Sequence, residues 1–313
     1  MSPAEPRGIY AAILTPVDSD GRISVERWAR HARWLLRQGC HGLGVFGTTG
    51  EAVAFSTAER QAGLEALAGA GLQPERMILG IGATARSDTL AIARHALGLG
   101  CRRLLMMPPF FYKNISDEGL FRAFAEVVDG LGDARLELFA YHFPQASAVP
   151  VTVPVIERLL GAYPGTFRGI KDSSGNWPHT KELIERFPAL AIFAGADGQL
   201  LDVLAAGGAG TISAAANLNC AASREVFDAF ERGERAAAEA GMRKVRAVRQ
   251  ALEGHSLIPA LKLVVAEGQG DPEWRRVRPP LVELDEESAT ALLGQLEAAG
   301  YHYDPELYTV GSA

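Results

Sequence analysis

The chain has 313 residues, which suits one large barrel or two ordinary domains, because length divided by about 150 is only a soft guide to domain number. Apolar residues make up 48% of the sequence and charged residues 22%, which is typical of a globular protein and argues against disorder. The net charge of −6 argues against nucleic acid and anionic membrane surfaces as partners, because both are negatively charged themselves.

The number and spacing of the cysteines and the composition of the first residues bear on the cellular compartment. Cys40, Cys101 and Cys220 are too few and too widely spaced for a disulfide framework or a metal cluster, so we expect reduced thiols. Residues 1–10 carry prolines and charges where a signal peptide needs an apolar core. No later run reaches the roughly 18 apolar residues of a membrane span. The sequence therefore predicts a cytoplasmic protein.

Short apolar runs alternate with segments of helical period about every 25 to 30 residues, which is the length of a βα unit. The first helical segment, residues 24–38, has apolar side chains at helical spacing behind Ser24, a residue that can cap the first turn. Strands are predicted at residues 10–17, 42–49, 77–82, 102–108, 136–143, 167–174, 190–196 and 209–217. Eight such units favour an α/β fold, a closed (β/α)8 TIM barrel, over an open sheet.

The remainder after the eighth strand is longer than one closing helix needs. Further helices are predicted at residues 235–252, 255–265 and 286–299, and no linker separates them from the rest. We therefore expect a barrel in residues 1–232 and a C-terminal helical appendage, residues 233–313, packed on it.

Polar side chains at the C-terminal ends of barrel strands carry most functional weight, because active sites of TIM barrels lie there. Lys171 lies in the sixth strand, where a period of two places it on one face with Gly169 and Ser173. If that face points inward, the lysine is desolvated, and a desolvated lysine can form a Schiff base. The alternative is a lysine that reaches water at the strand end or pairs with Asp172.

Tyr141 lies in the fifth strand, on a face shared with Phe139 and Phe143 and opposite to His142. A phenol within reach of the lysine can transfer protons during bond formation and cleavage. The alternative is a buried tyrosine with one hydrogen bond to the backbone. His142, which points away, is interpreted as structural.

The run Gly47–Thr48–Thr49–Gly50–Glu51 leaves the second strand and precedes a helix. Its glycines permit a tight turn whose amide groups and threonine hydroxyls can bind a carboxylate. In the alternative, the threonines satisfy the turn's own backbone.

Two glycine patterns are less informative. Residues 42–47 match the spacing of a dinucleotide fingerprint, but the glycines fall within the strand, so we expect no nicotinamide site. The cluster at residues 207–211 indicates close packing, with phosphate binding as the alternative.

In their order and spacing these motifs resemble the dihydrodipicolinate synthase and N-acetylneuraminate lyase superfamily over nearly the whole chain. Residues 47–51 are similar to its GTTGE carboxylate loop, residues 169–171 to its Schiff-base strand, and Tyr141 with Pro144 to its Y-x-x-P motif. The resemblance implies a class I aldolase or lyase, a TIM barrel with extra C-terminal helices, and no metal or cofactor. It also implies a homotetramer built as a dimer of dimers.

The resemblance assigns roles to single residues. Lys171 would form the imine with pyruvate or a related 2-oxo acid, and Thr48 and Thr49 would hold its carboxylate. Tyr141 would pass protons through Thr48 to a tyrosine of a neighbouring subunit. Backbone contacts to the ligand would come from near two further residues, Gly195 and Ile212.

The intersubunit tyrosine falls on Phe111 or Tyr112, depending on a shift of one residue, and Tyr112 is the better candidate. With phenylalanine at that position the proton relay would be broken. The residue then decides between an enzyme and a non-catalytic barrel that only binds a 2-oxo acid.

A departure from the family pattern concerns the second substrate. Ala146 stands where the synthases proper have an arginine that binds the second substrate's carboxylate. The sequence therefore predicts aldol cleavage or condensation, or dehydration of a sugar-derived 2-oxo acid, rather than dihydrodipicolinate synthesis. Dihydrodipicolinate synthase itself and a phosphate-handling barrel are the remaining alternatives.

Overall fold

A computed structural model describes residues 6–303 of the chain. Eight parallel strands form a closed barrel in chain order, and the last strand pairs with the first. The strands are β1 (Gly8–Ala12), β2 (Gly42–Val45), β3 (Met77–Gly80), β4 (Arg103–Met106), β5 (Glu137–His142), β6 (Phe167–Asp172), β7 (Ala191–Ala194) and β8 (Gly210–Ser213). The predicted (β/α)8 barrel is confirmed.

Helices follow the strands and surround the barrel. Within the described residues they are α1 (Val25–Arg37), α2 (Thr57–Gly69), α3 (Arg86–Gly98), α4 (Asp117–Leu131), α5 (Pro144–Ser147), α6 (Val153–Ala162), α7 (Trp177–Arg186), α8 (Leu200–Ala205), α9 (Ala216–Glu231), α10 (Arg235–Ala251), α11 (Leu257–Gln269) and α12 (Glu286–Ala298). None of these helices is both long and apolar enough to cross a membrane.

The strands begin within two residues of their predicted starts but end earlier than predicted. Leu14 and Phe46, for example, are fully buried but lie beyond the ends of β1 and β2. The predicted strands are too long at their C-terminal ends because the apolar runs continue past them, whereas pairing with the neighbouring strands sets the true ends. The side chains past those ends belong to the loops that build the catalytic face of such barrels.

Inward-facing side chains of the strands form a separate apolar cluster inside the barrel. Its buried members are Tyr10, Ala12, Ile78, Leu105, Phe139, Tyr141, Ala191, Phe193, Ala209 and Ile212. The barrel interior is therefore a packed core, and Tyr141 belongs to the layer nearest the C-terminal ends of the strands.

The C-terminal helices pack on the barrel through an apolar cluster of their own, which also includes Leu14 and Leu218 of the barrel. Its largest buried side chain is Trp274. An ion pair from Arg27 of α1 to Asp271, with an N–O distance of 2.7 Å, adds a polar connection. The boundary at residue 232 stays a prediction, and residues 1–5 and 304–313 of the predicted segments lie outside the described residues.

The prediction of three reduced thiols is wrong for two of them, because Cys40 and Cys220 form a disulfide with Cα atoms 5.9 Å apart. They are 180 residues apart in sequence, but closure of the barrel packs α9 against β1, which pairs with β2 just after Cys40. Sequence spacing could not reveal this proximity. Cys101 is the free cysteine, and burial raises the pKa of its thiol to about 12.

Candidate active site

Lys171 and Tyr141 are neighbours across the β5–β6 ladder, where they are register partners. Both point into the barrel, with only 4% and 5% of their surface exposed. The Lys171 Nζ lies 4.3 Å from the centroid of the Tyr141 ring. The strand register thus brings together an amine and a phenol that are 30 residues apart in sequence.

The Tyr141 hydroxyl lies in a polar environment despite its burial. Its oxygen is 3.3 Å from the Thr48 hydroxyl oxygen. Burial raises the pKa of Tyr141, but the adjacent Lys171 charge and hydrogen bonds from Thr48 and Ser173 lower it, and the net pKa lies below the ordinary value. The phenol is therefore able to give up and recover a proton.

The loop after β2 presents donors at the same end of the barrel. Among the described residues, no acceptor pairs with the amide N–H groups of Thr48 and Thr49. The Thr15 hydroxyl donates to the Gly50 carbonyl at 2.9 Å and fixes the turn from below. A Cβ on Gly50 would lie 3.0 Å from the Ile13 carbonyl oxygen, so the close approach favours glycine. The turn can bind an anion through its backbone.

Glu51, which ends this loop, is held by the C-terminal helices. It adopts a left-handed backbone with φ of 54° and is buried. Its carboxylate forms an ion pair with Lys262 of α11 and accepts a hydrogen bond from the Arg278 amide at 2.9 Å. Burial lowers the pKa of Lys262, and the Glu51 charge offsets part of that shift.

This connection was not predicted from the sequence, although one signal was present. Lys262 is the one charged residue in the apolar run from Leu257 to Ala266. A lone lysine on the buried face of a helix needs a partner, because an unpaired buried charge is costly. The Arg278 side chain adds to the same anchor by pairing with Glu59 at 2.5 Å and donating to the Ala54 carbonyl at 2.7 Å.

A cavity of about 280 Å³ opens beside Tyr141 and Thr48. It lies at the C-terminal ends of the strands, where TIM-barrel active sites are found. Its lining is Phe46, Gly47, Thr48, Ala52, Val53, Gly80, Gly82, Leu105, Met107, Phe110, Tyr141 and Ala146.

Gly195 and Ile212, the predicted backbone contacts, lie near the same end. Ile212 belongs to the interior cluster, and the Gly195 amide donates to the Asp172 carbonyl at 2.7 Å. A Cβ on Gly195 would lie 2.0 Å from the Ser173 Oγ, so a side chain cannot be accommodated without movement. The backbone after β7 therefore passes very close to the strand that carries Lys171.

The position of the intersubunit tyrosine stays a prediction. Phe111 and Tyr112 are each 73% exposed, and neither lines the cavity next to Tyr141. The adjacent Lys113 ties this loop to α5 by donating to the carbonyl oxygen of Ser147 at 3.0 Å. Both aromatic rings are thus presented on the surface of one chain.

His142, Asp172 and His179 form a cluster on the outer side of β5 and β6, with ligand-capable atoms within 4.8 Å of one another. The His142 Nδ1 accepts from the Val151 amide at 3.1 Å, and the His179 Nδ1–H donates to Asp172 at 2.9 Å. Burial lowers the pKa of His142, whereas the bond to Asp172 raises the pKa of His179. These contacts agree with a structural role for His142.

Comparison with known proteins gives consistent results. The model of the dihydrodipicolinate synthetase family matches residues 5–299. A protein named as an uncharacterized DapA-like lyase from Chloroflexus aurantiacus is 40% identical over 94% of this chain and 97% of its own length. The crystal structure of dihydrodipicolinate synthase from Agrobacterium tumefaciens has a TM-score of 0.84 and 34% identity, covering 93% of this chain and 99% of that one.

A further structural neighbour shows agreement of the fold alone. YagE from Escherichia coli K12, a prophage protein solved in complex with pyruvate, has a TM-score of 0.87 at 24% identity. The alignment covers 95% of this chain and 99% of that protein.

Proposed function

Because the chain belongs to the dihydrodipicolinate synthetase family, we propose that it is a class I lyase that binds pyruvate or a related 2-oxo acid as a Schiff base on Lys171. The observation that carries the proposal is the burial of the Lys171 amine against the Tyr141 ring. A desolvated lysine beside a proton-transferring phenol is the arrangement that imine chemistry needs. The proposed reaction uses no metal and no cofactor.

In the first step the Lys171 amine attacks the ketone carbon of the 2-oxo acid. The carbinolamine then loses water, with Tyr141 supplying and recovering the proton. Loss of a proton from the neighbouring carbon gives an enamine, which is the carbon nucleophile. In the cleavage direction the same carbon receives the electron pair of the broken carbon–carbon bond.

The carboxylate of the 2-oxo acid is placed at the loop after β2. The amide N–H groups of Thr48 and Thr49 take no acceptor among the described residues and can bind its oxygens. Contacts from the backbone near Gly195 and Ile212 complete the proposed binding site. This position directs the ketone carbon toward Lys171.

Proton transfer beyond Tyr141 is proposed to run through the Thr48 hydroxyl, 3.3 Å away. From there we place Tyr112 of a second copy of the chain, since its phenol is exposed and so available to a neighbour. The assembly proposed for this purpose is a homotetramer made of two dimers.

A cytoplasmic location is part of the proposal, on the basis of the composition and of the family's small-molecule chemistry. The Cys40–Cys220 disulfide weighs against it, because disulfides are uncommon in the cytosol. Both cysteines are fully buried, so reductants would reach them only when the chain opens.

Pyruvate deuteration tests the proposal. Wild-type protein in D₂O should exchange the methyl hydrogens of pyruvate, followed by proton NMR, because the enamine forms and is reprotonated. Lys171→Arg retains the charge but should not catalyse exchange. A protein that only binds 2-oxo acids would give pyruvate-dependent thermal stabilisation without exchange.

A further inference from the structure

The cavity is lined by Tyr141, the ring against which Lys171 lies, and its side chains are apolar apart from the end formed by Tyr141 and Thr48. Polar side-chain atoms come from Thr48 and Tyr141, both already engaged in the proposed chemistry. The remaining side chains are hydrocarbon, aromatic or thioether groups, those of Phe46, Ala52, Val53, Leu105, Met107, Phe110 and Ala146. Within the described part of the chain, no lining residue carries a charge.

This lining is unfavourable for a second substrate with a carboxylate or several hydroxyls. Burying a hydroxyl without a hydrogen-bond partner costs roughly 1–3 kcal/mol, and an unpaired carboxylate costs far more. The nearby Lys113 does not line the cavity, and its ammonium donates to the carbonyl oxygens of Phe110 and Ser147. Away from the solvent-exposed Val53 and Ala146, the side chains of the wall therefore bury an apolar group favourably and offer a polar group no hydrogen-bond partner beyond Thr48 and Tyr141.

The volume of the cavity also limits the size of the second substrate. At about 280 Å³ the cavity lies just below the usual volume of ligand sites, which is roughly 300 to 1,000 Å³. Part of that space is next to Thr48 and Tyr141, where the 2-oxo acid is placed. The remaining space suits one ring or a short alkyl chain.

We propose that the aldehyde partner of this enzyme is small, uncharged and apolar, such as an aromatic or branched alkyl aldehyde. The inference rests on the proposed Schiff-base function and adds the class of the second substrate. In condensation, the methyl carbon of pyruvate, as the enamine, forms a bond to the aldehyde carbon, whose oxygen takes a proton. Hydrolysis of the imine then releases a 4-hydroxy-2-oxo acid and the free lysine. Cleavage reverses these steps, and neither direction changes the overall oxidation state.

A competition among aldehydes tests this assignment. The enzyme with pyruvate is given benzaldehyde, 2-methylpropanal, glyceraldehyde or succinic semialdehyde, and product formation is measured by NMR and mass spectrometry. We expect kcat/KM for benzaldehyde or 2-methylpropanal to exceed that for the other two by about 100-fold, the discrimination that an unsatisfied polar group produces.

Substitutions at Ala146 test the cause of the preference. Ala146 is exposed on the cavity wall, so a long side chain there has room to extend. Ala146→Arg should raise kcat/KM for succinic semialdehyde about tenfold by supplying a charged hydrogen-bond partner. Ala146→Met, which adds similar length without charge, should keep the apolar preference.

Trapping of pyruvate with borohydride in each variant distinguishes a failure of the apolar-aldehyde assignment from a failure of the Schiff-base function. If the adduct forms and glyceraldehyde or succinic semialdehyde is the better partner of the wild type, the apolar assignment is overturned and the Schiff-base function stands. If no 2-oxo acid gives an adduct, both are overturned. Adduct formation together with a preference for the apolar aldehydes supports both.

Discussion

Lys262 of α11 and Glu51 of the loop after β2 form an ion pair from which solvent is almost wholly excluded, with side-chain exposures of 0% and 1%. The pair joins the C-terminal helices to the loop that carries Thr48 and Thr49. Because Glu51 also has a left-handed backbone, the loop conformation depends on this anchor. The appendage is thus part of the support of the proposed site.

Lys262→Met should destabilise the protein by about 3–5 kcal/mol, because it leaves a buried carboxylate without its partner. Urea unfolding measures the loss. A double variant, Lys262→Met with Glu51→Gln, should recover part of it, since no unpaired charge then remains. Equal destabilisation in the single and double variants would contradict the account of the anchor.

The same anchor has a kinetic consequence if it positions the carboxylate loop. In a Lys262→Arg variant, which retains the charge but not the shape, KM for pyruvate should rise more than kcat falls. The loop binds the substrate but does not form the reacting bonds. The variant therefore loses binding energy that contributes equally to the ground state and the transition state. Steady-state kinetics on folded protein measures this, and a loss confined to kcat would argue against a positioning role.

Thr48 and Tyr141 should show different sensitivities to substitution. Tyr141→Phe should lower the rate of pyruvate deuteration by about 10² to 10⁴, the usual contribution of a proton-transferring group. Thr48→Val should also slow exchange, whereas Thr48→Ser keeps the hydroxyl and should stay near the wild-type rate. Similar rates for the valine and serine variants would exclude the Thr48 hydroxyl from the relay.

Acid should destabilise the chain through His31, which is fully buried among Trp34 and Trp274 and donates to Asn217 at 3.0 Å. Burial lowers the pKa of His31 from 6.5 to about 4. As the pH falls below 6.5 the unfolded chain takes up this proton first, so stability declines until the folded pKa near 4 is reached.

The expected loss through His31 is about 2 kcal/mol by pH 5, since one pKa unit corresponds to about 1.4 kcal/mol. Urea unfolding at pH 7 and pH 5 measures it. His31→Phe should have a shallower slope in this range, whatever its absolute stability. An identical slope in both proteins would show that other groups cause the acid sensitivity.

The disulfide assignment is tested by counting thiols. Denatured, unreduced protein should show one reactive thiol per chain, Cys101, and reduction should expose all three. Native protein should show none, because Cys101 is buried and its raised pKa suppresses the thiolate. Three thiols in unreduced protein would restore the sequence-based expectation.

Much of the fold followed from the sequence because its signals are local. The apolar runs and helical periods gave eight βα units, and the fold, the family and the lyase class are confirmed. The two-residue period of strands predicted which strand face carries the Lys171 side chain and which carries that of Tyr141.

Features that depend on long-range packing were not predictable in the same way. Cys40 and Cys220 meet only because the barrel closes, and Lys262 reaches Glu51 only because α11 packs across the loop. The choice between Phe111 and Tyr112 depends on a contact between chains, so a pattern within one chain carries no signal for it.

Borohydride trapping with pyruvate shows directly whether Lys171 forms the imine. Intact and peptide masses would be compared for wild type and Lys171→Ala, with Lys181→Arg, which changes an exposed lysine of α7 paired with Glu185, as a control that retains the proposed nucleophile. We expect a reduced adduct in the peptide containing Lys171, absent from Lys171→Ala and present in the control. An adduct on another lysine, or none with any of a panel of 2-oxo acids, would contradict the assignment of Lys171 as the imine-forming residue.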